Sequence, residues 1–131
     1  MTQIVKFKGG EIHVLAPDVL MFRYLLPGKI EVSNFKAGLR ARQELIGDQP
    51  FYYVLDAAKG TKKFSEEAKA WGSVNPESGE VRLADVVLVK GLPSKIEVFF
   101  YNFFFKPLRR LKAVTSTEEA LAYIDSIRPK G

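Results

Sequence analysis

The chain of 131 residues suits a single domain over 1–131, and its 47% hydrophobic and 27% charged residues are the balance of an ordinary globular protein. It has no cysteine, which excludes a disulfide framework, a thiolate nucleophile and a cysteine-bound metal. No apolar run reaches the roughly 18 to 20 residues of a transmembrane helix, and the first residues lack the pattern of a signal peptide. A cytoplasmic location is therefore expected.

The formal net charge of +5 is moderately basic. Most basic residues are spread along the chain, whereas nucleic-acid binding concentrates them on one face, so a nucleic-acid partner is disfavoured. Solvated surface charge is the simplest interpretation, and an anionic partner such as a lipid headgroup is the alternative. Two clusters stand out: Lys59, Lys62 and Lys63, and then Lys106, Arg109, Arg110 and Lys112.

The first part of the chain predicts antiparallel strands. Two alternating runs, 3–8 and 11–16, are separated by Gly9 and Gly10, which is typical of a hairpin with a primed two-residue turn. After a second turn, 19–25 is predicted to form a third strand whose odd and even residues face opposite sides.

Helices and strands alternate after this start. A short fourth strand is predicted at 29–32. Ser33 or Asn34 can cap a helix that runs to about Ile46, and Gly47 is its expected C-terminal stop.

The nearly continuous apolar run 51–56 is typical of a central strand covered on both faces. A helix opened by Ser65 follows it, and a further buried strand is predicted within 81–90. Since a helix between two strands implies parallel pairing, this part of the sheet is expected to be parallel. A short strand at 111–114 and a helix capped by Ser116 complete the order. The inward residues of this last helix are predicted to be Ala120, Leu121, Ile124 and Ile127.

An unusually aromatic stretch precedes the last strand, with six aromatic residues in the seven positions 99–105. Ser94 followed by Glu97 is a capping-box pattern, and Pro107 stops a helix, so 95–106 is predicted to be helical. Such a helix carries two apolar stripes: the first contains Ile96, Phe99, Phe100 and Phe103, and the second contains Val98, Tyr101 and Phe105.

The second stripe needs cover, because it would expose roughly 400–500 Å² of apolar surface, near the upper limit for a monomer. Cover from within the chain is the simplest solution, a homodimer contact is another, and a lipid or other apolar ligand is a third. The neighbouring basic residues would suit an anionic headgroup or an acidic partner. The candidate partner- or ligand-binding residues are therefore Val98, Tyr101, Phe105, Lys106, Arg109 and Arg110.

The order of elements predicts an α/β fold: a mixed β-sheet with N-terminal antiparallel strands and C-terminal βαβ units, with helices covering the sheet. Three stretches carry a family resemblance, namely 51–56, the strand, helix and proline of 86–107, and 114–121. On these stretches the chain resembles SpoIIAA-like domains of the STAS type, and especially their small stand-alone bacterial members. The resemblance covers about 11–127 and implies a non-enzymatic regulatory or protein-interaction module.

The same resemblance draws attention to Ser65. In anti-sigma-factor antagonists a phosphorylated serine opens the helix after the central strand, and Ser65 stands at the matching place, nine residues past Asp56. The surrounding motif is missing, since Phe64 replaces its aspartate and Glu66 and Glu67 replace its Ser-Gly part. Ser65 is therefore a phosphorylation candidate by resemblance, and an N-cap hydroxyl by the simpler interpretation.

The sequence shows no catalytic constellation. His13, the single histidine, is out of phase with its apolar neighbours and is predicted at the surface. Asp56 ends a strand, where sites cluster in open α/β sheets, and is either part of a site or a turn cap. There is neither a Gly-x-Ser-x-Gly elbow nor a phosphate-binding glycine loop. We therefore expect no enzyme activity, no cofactor and no metal, with an apolar-ligand or lipid-binding protein using 95–106 and 106–112 as the alternative function.

Overall fold

The computed structural model of the protein describes residues 3–25, 29–57, 64–74, 82–91, 102 and 111–129. Within these residues, six strands form one sheet and three helices pack on it. The strands are β1 (Gln3–Phe7), β2 (Gly10–Ala16), β3 (Val19–Tyr24), β4 (Phe51–Asp56), β5 (Arg82–Leu88) and β6 (Leu111–Val114), and the helices are α1 (Val32–Ile46), α2 (Glu66–Val74) and α3 (Thr117–Ile127). None of the described helices is both long enough and apolar enough to cross a membrane.

The strands lie in the sheet in the order in which they occur in the chain. Strands β1, β2 and β3 are antiparallel, whereas β3, β4, β5 and β6 are parallel. Short hairpin loops can only reverse the chain, and longer crossovers return it in the same direction. The predicted α/β fold with a mixed sheet is confirmed.

The first hairpin turns one residue earlier than predicted. Phe7 pairs with Gly10, so the two loop residues are Lys8 and Gly9, and Gly9 supplies the positive φ of 96°. Gly10 lies within the strand, where a Cβ atom would stand 2.5 Å from the carbonyl oxygen of Arg23. The two glycines therefore have different roles: Gly9 allows the turn, and Gly10 allows β3 to approach closely.

The start of α1 also differs from the prediction. The segment 29–32 is not a strand, since Ile30 forms only an isolated bridge with Phe64. Helix α1 begins at Val32, and the backbone N–H of Glu31 donates to Asn34 Oδ1 at 2.8 Å. The asparagine therefore stabilises the helix start from inside the first turn rather than as the N-cap itself.

Other predicted helix ends are confirmed. Gly47 ends α1 with a φ of 61°. At the start of α2, Ser65 Oγ accepts a hydrogen bond from the backbone N–H of Ala68 at 3.0 Å. At the start of α3, Ser116 Oγ accepts one from the N–H of Glu119 at 3.0 Å. These hydroxyls satisfy donors that a helix leaves without an internal partner.

The sheet has a hydrophobic core on each face. Helices α1 and α2 both pack on one face, here called the α1 face, because a sheet that grows in one direction with right-handed crossovers puts them on the same side. Helix α3 covers the opposite face, the α3 face. The α1 face carries Leu20, Phe22, Tyr24, Phe51, Tyr53, Leu55 and Val87. The α3 face carries Val19, Met21, Tyr52, Val54, Val86, Leu88 and Val114.

The inward side of α3 differs from the prediction at its end. Ala120 and Ile124 are fully buried, as predicted, and Leu121 packs against the core. Ile127 is 40% exposed and was wrongly predicted to face inward. The helix ends at that residue, and the side chain that contacts the sheet there is Arg128, whose guanidinium lies over the ring of Tyr52.

Asn102 is the one described residue of the aromatic stretch, and it has helical conformation. Its buried amide faces the outer edge of β6: Asn102 Nδ2 donates to the carbonyl oxygen of Leu111 at 3.0 Å, and the Leu111 N–H donates to Asn102 Oδ1 at 2.8 Å. This pair of bonds imitates the contact that a neighbouring strand would make. The rest of the predicted helix 95–106 lies outside the described residues.

Buried polar groups lie beneath α1. The Arg82 guanidinium pairs with Asp85 at 2.8 Å and stands over the ring of Tyr53. Burial, and then the neighbouring Tyr53, raise the pKa of the fully buried Tyr24 hydroxyl well above its ordinary value. The hydroxyl is therefore neutral throughout the physiological range. Gly38 of α1 crosses directly above it, where a Cβ would stand 3.1 Å from the Tyr24 oxygen.

The contact between Gly38 and Tyr24 allows the packing under α1 to be tested. A Cβ at Gly38 would also lie 3.2 Å from two ring atoms of Phe22, and since both rings are fully buried, the surrounding core would have to shift with them to admit it. Alanine gains about 1 kcal/mol in helix propensity over glycine, but we expect the overpacking to outweigh this gain. The net result should be that Gly38→Ala lowers the free energy of unfolding by about 1–2 kcal/mol in urea titrations.

The double variant Gly38→Ala, Tyr24→Phe checks the cause, because it removes the nearest obstructing atom. At least half of the loss caused by Gly38→Ala should disappear in the Tyr24→Phe background. The exposed α1 residue Arg40 gives the control, and Arg40→Ala should change stability by less than about 0.5 kcal/mol. A Gly38→Ala variant more stable than the wild type would contradict the described packing.

Candidate functional site

Charged side chains meet at the carboxyl ends of β3 and β4. Asp56 is the last residue of β4 and is only 2% exposed. Arg23 lies beside it on β3, one position past the paired residues Phe22 and Leu55. Strand alternation puts both side chains on the α3 face. Arg23 Nε and Nη2 contact the same carboxylate oxygen, Asp56 Oδ2, at 2.9 and 2.8 Å.

The contacts continue onto β2. Glu11 pairs in register with Arg23, and His13 lies two residues further along the same strand, so both side chains also face the α3 side. Arg23 Nη1 is 3.5 Å from Glu11 Oε1, and that oxygen is 2.8 Å from His13 Nε2. The result is one chain of charged and polar contacts, here called the Asp56–His13 chain, in the order Asp56, Arg23, Glu11, His13.

The Asp56–His13 chain joins one buried carboxylate to three partly exposed side chains. The side chain of Asp56 is 3% exposed, and those of Arg23, Glu11 and His13 are 20%, 15% and 14% exposed. The hydrogen bond from His13 lowers the pKa of Glu11; burial opposes this shift, and the charges of His13, Arg23 and Lys6 add to it. Glu11 is therefore ionised at neutral pH.

The arrangement suits mutual neutralisation better than chemistry on a bound molecule. Both carboxylates contact Arg23, and the imidazole contacts Glu11. Among the described residues, no group of three or more His, Asp and Glu side chains is placed to hold a metal ion, and in this chain the guanidinium stands between the two carboxylates. For one of these side chains to act as a general base or nucleophile, it would first have to break its contact with the neighbouring charged group.

The structure corrects the prediction for His13 and adds a contact to that for Asp56, which stays a prediction. His13 was predicted at the surface, but its side chain is only 14% exposed and is bonded to Glu11. Asp56 was interpreted as part of a site or as a turn cap, and neither interpretation included Arg23. The alternation of Glu11 and His13 on one face was visible in the sequence. The pairing of β3 with β4, which brings Arg23 to Asp56, joins residues 33 positions apart and was not.

The predicted partner- or ligand-binding residues Val98, Tyr101, Phe105, Lys106, Arg109 and Arg110 lie outside the described residues. Lys112, from the same basic cluster, is described: it is exposed on β6 with its ammonium 5.4 Å from the centre of the Tyr123 ring. Its charge therefore lies over α3, where it forms a cation–π contact.

Ser65, the phosphorylation candidate, lies where it was predicted, at the start of α2. Its hydroxyl accepts from the N–H of Ala68, and its backbone N–H donates to the carbonyl oxygen of Ile30 at 3.0 Å. Glu66 and Glu67 follow in the first turn, where carboxylates suit the helix dipole. The N-cap interpretation is confirmed, and phosphorylation of Ser65 stays a prediction.

No protein-family model matches the chain, and neither a curated protein nor a solved structure matches it significantly. The resemblance to SpoIIAA-like domains therefore stays a prediction.

The lowered pKa of Glu11 has a consequence for acid stability. A carboxyl whose pKa is lower in the folded than in the unfolded protein stabilises the fold above its unfolded pKa, and this stabilisation is lost as the pH falls through the folded pKa. We expect Glu11→Gln to destabilise the protein at pH 7, and the difference from wild type to shrink as the pH falls below about 4.3. Urea unfolding at a series of pH values measures this difference.

Glu118, exposed on α3, provides the matched control. The Glu118→Gln variant should follow the wild-type stability across the same pH series within about 0.5 kcal/mol. A difference between wild type and Glu11→Gln that stays constant down to pH values well below about 4 would contradict the role assigned to the Glu11 charge.

Proposed function

We propose that the protein is a non-enzymatic regulatory or interaction module of the SpoIIAA-like STAS type, which acts through contacts with another protein. The observation that carries this proposal is the Asp56–His13 chain. In open α/β sheets, ligands bind at the carboxyl ends of the parallel strands. Here the charged side chains at the ends of β3 and β4 contact one another, which supports a role in the fold rather than in ligand binding.

The sheet topology supports the same proposal. The mixed sheet, with antiparallel N-terminal strands, parallel C-terminal strands and helices covering it, agrees with the fold that was predicted together with the resemblance. Fold alone does not assign a function. The proposal therefore depends on the Asp56–His13 chain, and on the prediction that this chain serves stability rather than turnover.

This distinction can be measured. Active-site groups are commonly held at the expense of stability, so replacing one often leaves the protein equally or more stable. A buried carboxylate that serves only the fold behaves in the opposite way, because its removal leaves Arg23 with only the longer, 3.5 Å contact to Glu11 as counter-charge. Since Arg23 is partly exposed, we expect Asp56→Asn to lower the free energy of unfolding by about 1–3 kcal/mol.

Asp18 gives a matched control, because it also pairs with an arginine. Asp18 Oδ1 is 2.9 Å from Arg128 Nη2, but these side chains are 29% and 36% exposed. We expect Asp18→Asn to lower stability by less than about 1 kcal/mol in the same urea titrations. An Asp56→Asn variant as stable as the wild type, or more stable, would overturn the proposal and indicate a carboxylate kept for chemistry.

Native mass spectrometry of the protein as purified tests the alternative function predicted from the aromatic stretch. An interaction module should show the mass of the bare chain or of whole multiples of it. A retained small apolar molecule that exchanges with added fatty acid or phospholipid would contradict the proposal and favour a ligand-binding protein.

A further inference from the structure

The two edge strands of the sheet differ. At β6, the side-chain amide of Asn102 bonds to both the N–H and the carbonyl oxygen of Leu111. At β1, the only described strand that pairs is β2, and no described residue lies along its outer edge as a further strand. Ile4 of this edge is 50% exposed. An open edge is a template for pairing with another chain.

The hairpin register shows which backbone groups of β1 point outward. A two-residue loop separates Phe7 from Gly10, so these two residues exchange both backbone hydrogen bonds. Pairs with and without such bonds alternate along an antiparallel ladder. The N–H and carbonyl groups of Ile4 and Lys6 therefore point away from β2, whereas those of Val5 point toward it.

We propose that β1 pairs with β1 of a second copy of this chain, antiparallel about a twofold axis at Val5, so that the two sheets join into one. Ile4 then lies opposite the partner's Lys6, and Val5 lies opposite the partner's Val5. This inference goes beyond the proposed function and does not depend on it.

The self-complementarity of β1 is the argument for a second copy. With the axis at Val5, Ile4 and Lys6 of each strand exchange both backbone bonds with the other strand, so every outward-facing group of the two residues is satisfied. An axis at Lys6 would place two lysines directly opposite each other, which is destabilising.

The charge of Lys6 is the main objection, because edge lysines commonly discourage strand addition. Here Lys6 lies opposite Glu11 in the β1–β2 register, and its charge helps to lower the pKa of Glu11. In the joined sheet, its other neighbour on the same face is the partner's Ile4, an uncharged side chain. Lys6 therefore has a counter-charge within its own chain and no like charge directly across the axis.

Single cysteines can identify the register, since the chain contains no cysteine of its own. Val5→Cys would place two Cβ atoms about 4.5–5.5 Å apart across the axis, close to disulfide geometry. In Ile4→Cys and Lys6→Cys the two cysteines would be offset by two residues and about 8 Å apart, beyond disulfide reach. Each variant is oxidised with copper phenanthroline, and the dimer is quantified by non-reducing electrophoresis and intact mass.

We expect cross-linking of Val5→Cys to exceed that of the two neighbouring variants by about tenfold. Strongest cross-linking at position 4 or 6, equal cross-linking at all three positions, or none at any position would overturn the proposal. Equal cross-linking yields at the three positions would indicate random collision. A maximum yield at position 4 or 6 would indicate a different register.

A second pair of variants separates backbone pairing from side-chain contact, with the dimer measured by sedimentation velocity over a concentration series. Ile4→Pro removes an outward N–H without removing a β1–β2 hydrogen bond, and proline is tolerated at such edge positions. Two donors are lost per dimer, so we expect its dissociation constant to rise by about tenfold. Ile4→Thr keeps the N–H and the branched side chain and should change it by less than about threefold.

Circular dichroism is the control for folding, and the spectrum of Ile4→Pro should match that of the wild type. Equal weakening by both variants, or a wild-type chain that stays monomeric at about 1 mM, would overturn the proposal.

Discussion

The complete burial of β4 is the constraint on which the rest of the structure depends. All six of its residues are buried, and it has parallel neighbours on both sides. Such a strand is stable only if both faces of the sheet are covered. Crossovers of one hand in a sheet that grows in one direction place α1 and α2 on the same face. The opposite face can therefore be covered only by an element outside these crossovers, and α3, which follows the last strand, covers it.

At the carboxyl end of β4, a charged side chain is buried. Asp56 continues the buried strand, so its carboxylate lies in the interior and needs a counter-charge. Arg23 supplies it with two nitrogen atoms at hydrogen-bond distance, and Glu11 and His13 extend the contacts to the half-buried surface. Both carboxylates contact Arg23, which is why we interpret this end of the sheet as support for the fold rather than as a reaction centre.

The two ends of the sheet follow from its mixed pairing. The parallel end finishes in β6, a short strand reached by a long crossover, and a residue of that crossover, Asn102, bonds to its edge. The antiparallel end finishes in a hairpin, and its two-residue loop is too short to reach the outer edge of β1. A hairpin edge therefore stays accessible unless another segment or another chain pairs with it, and the alternation in β1 suits a copy of itself.

Local signals in the sequence were enough for the class of fold and for most of the described elements, although the strand predicted at 29–32 does not form. The apolar run 51–56, the hydroxyl caps Ser65 and Ser116 and the stop at Gly47 act over a few residues, so they can be interpreted without knowledge of the rest of the chain. The Asp56–His13 chain could not be predicted in this way, because Arg23 meets Asp56 through the pairing of β3 with β4, 33 residues apart. Likewise, the apolar pattern along α3 predicted that Ile127 faces inward. The position of the helix on the sheet instead puts Arg128 over Tyr52. Short-range patterns set which segments become helices and strands, and long-range packing sets which side chains meet, since contact between distant residues depends on strand order and register.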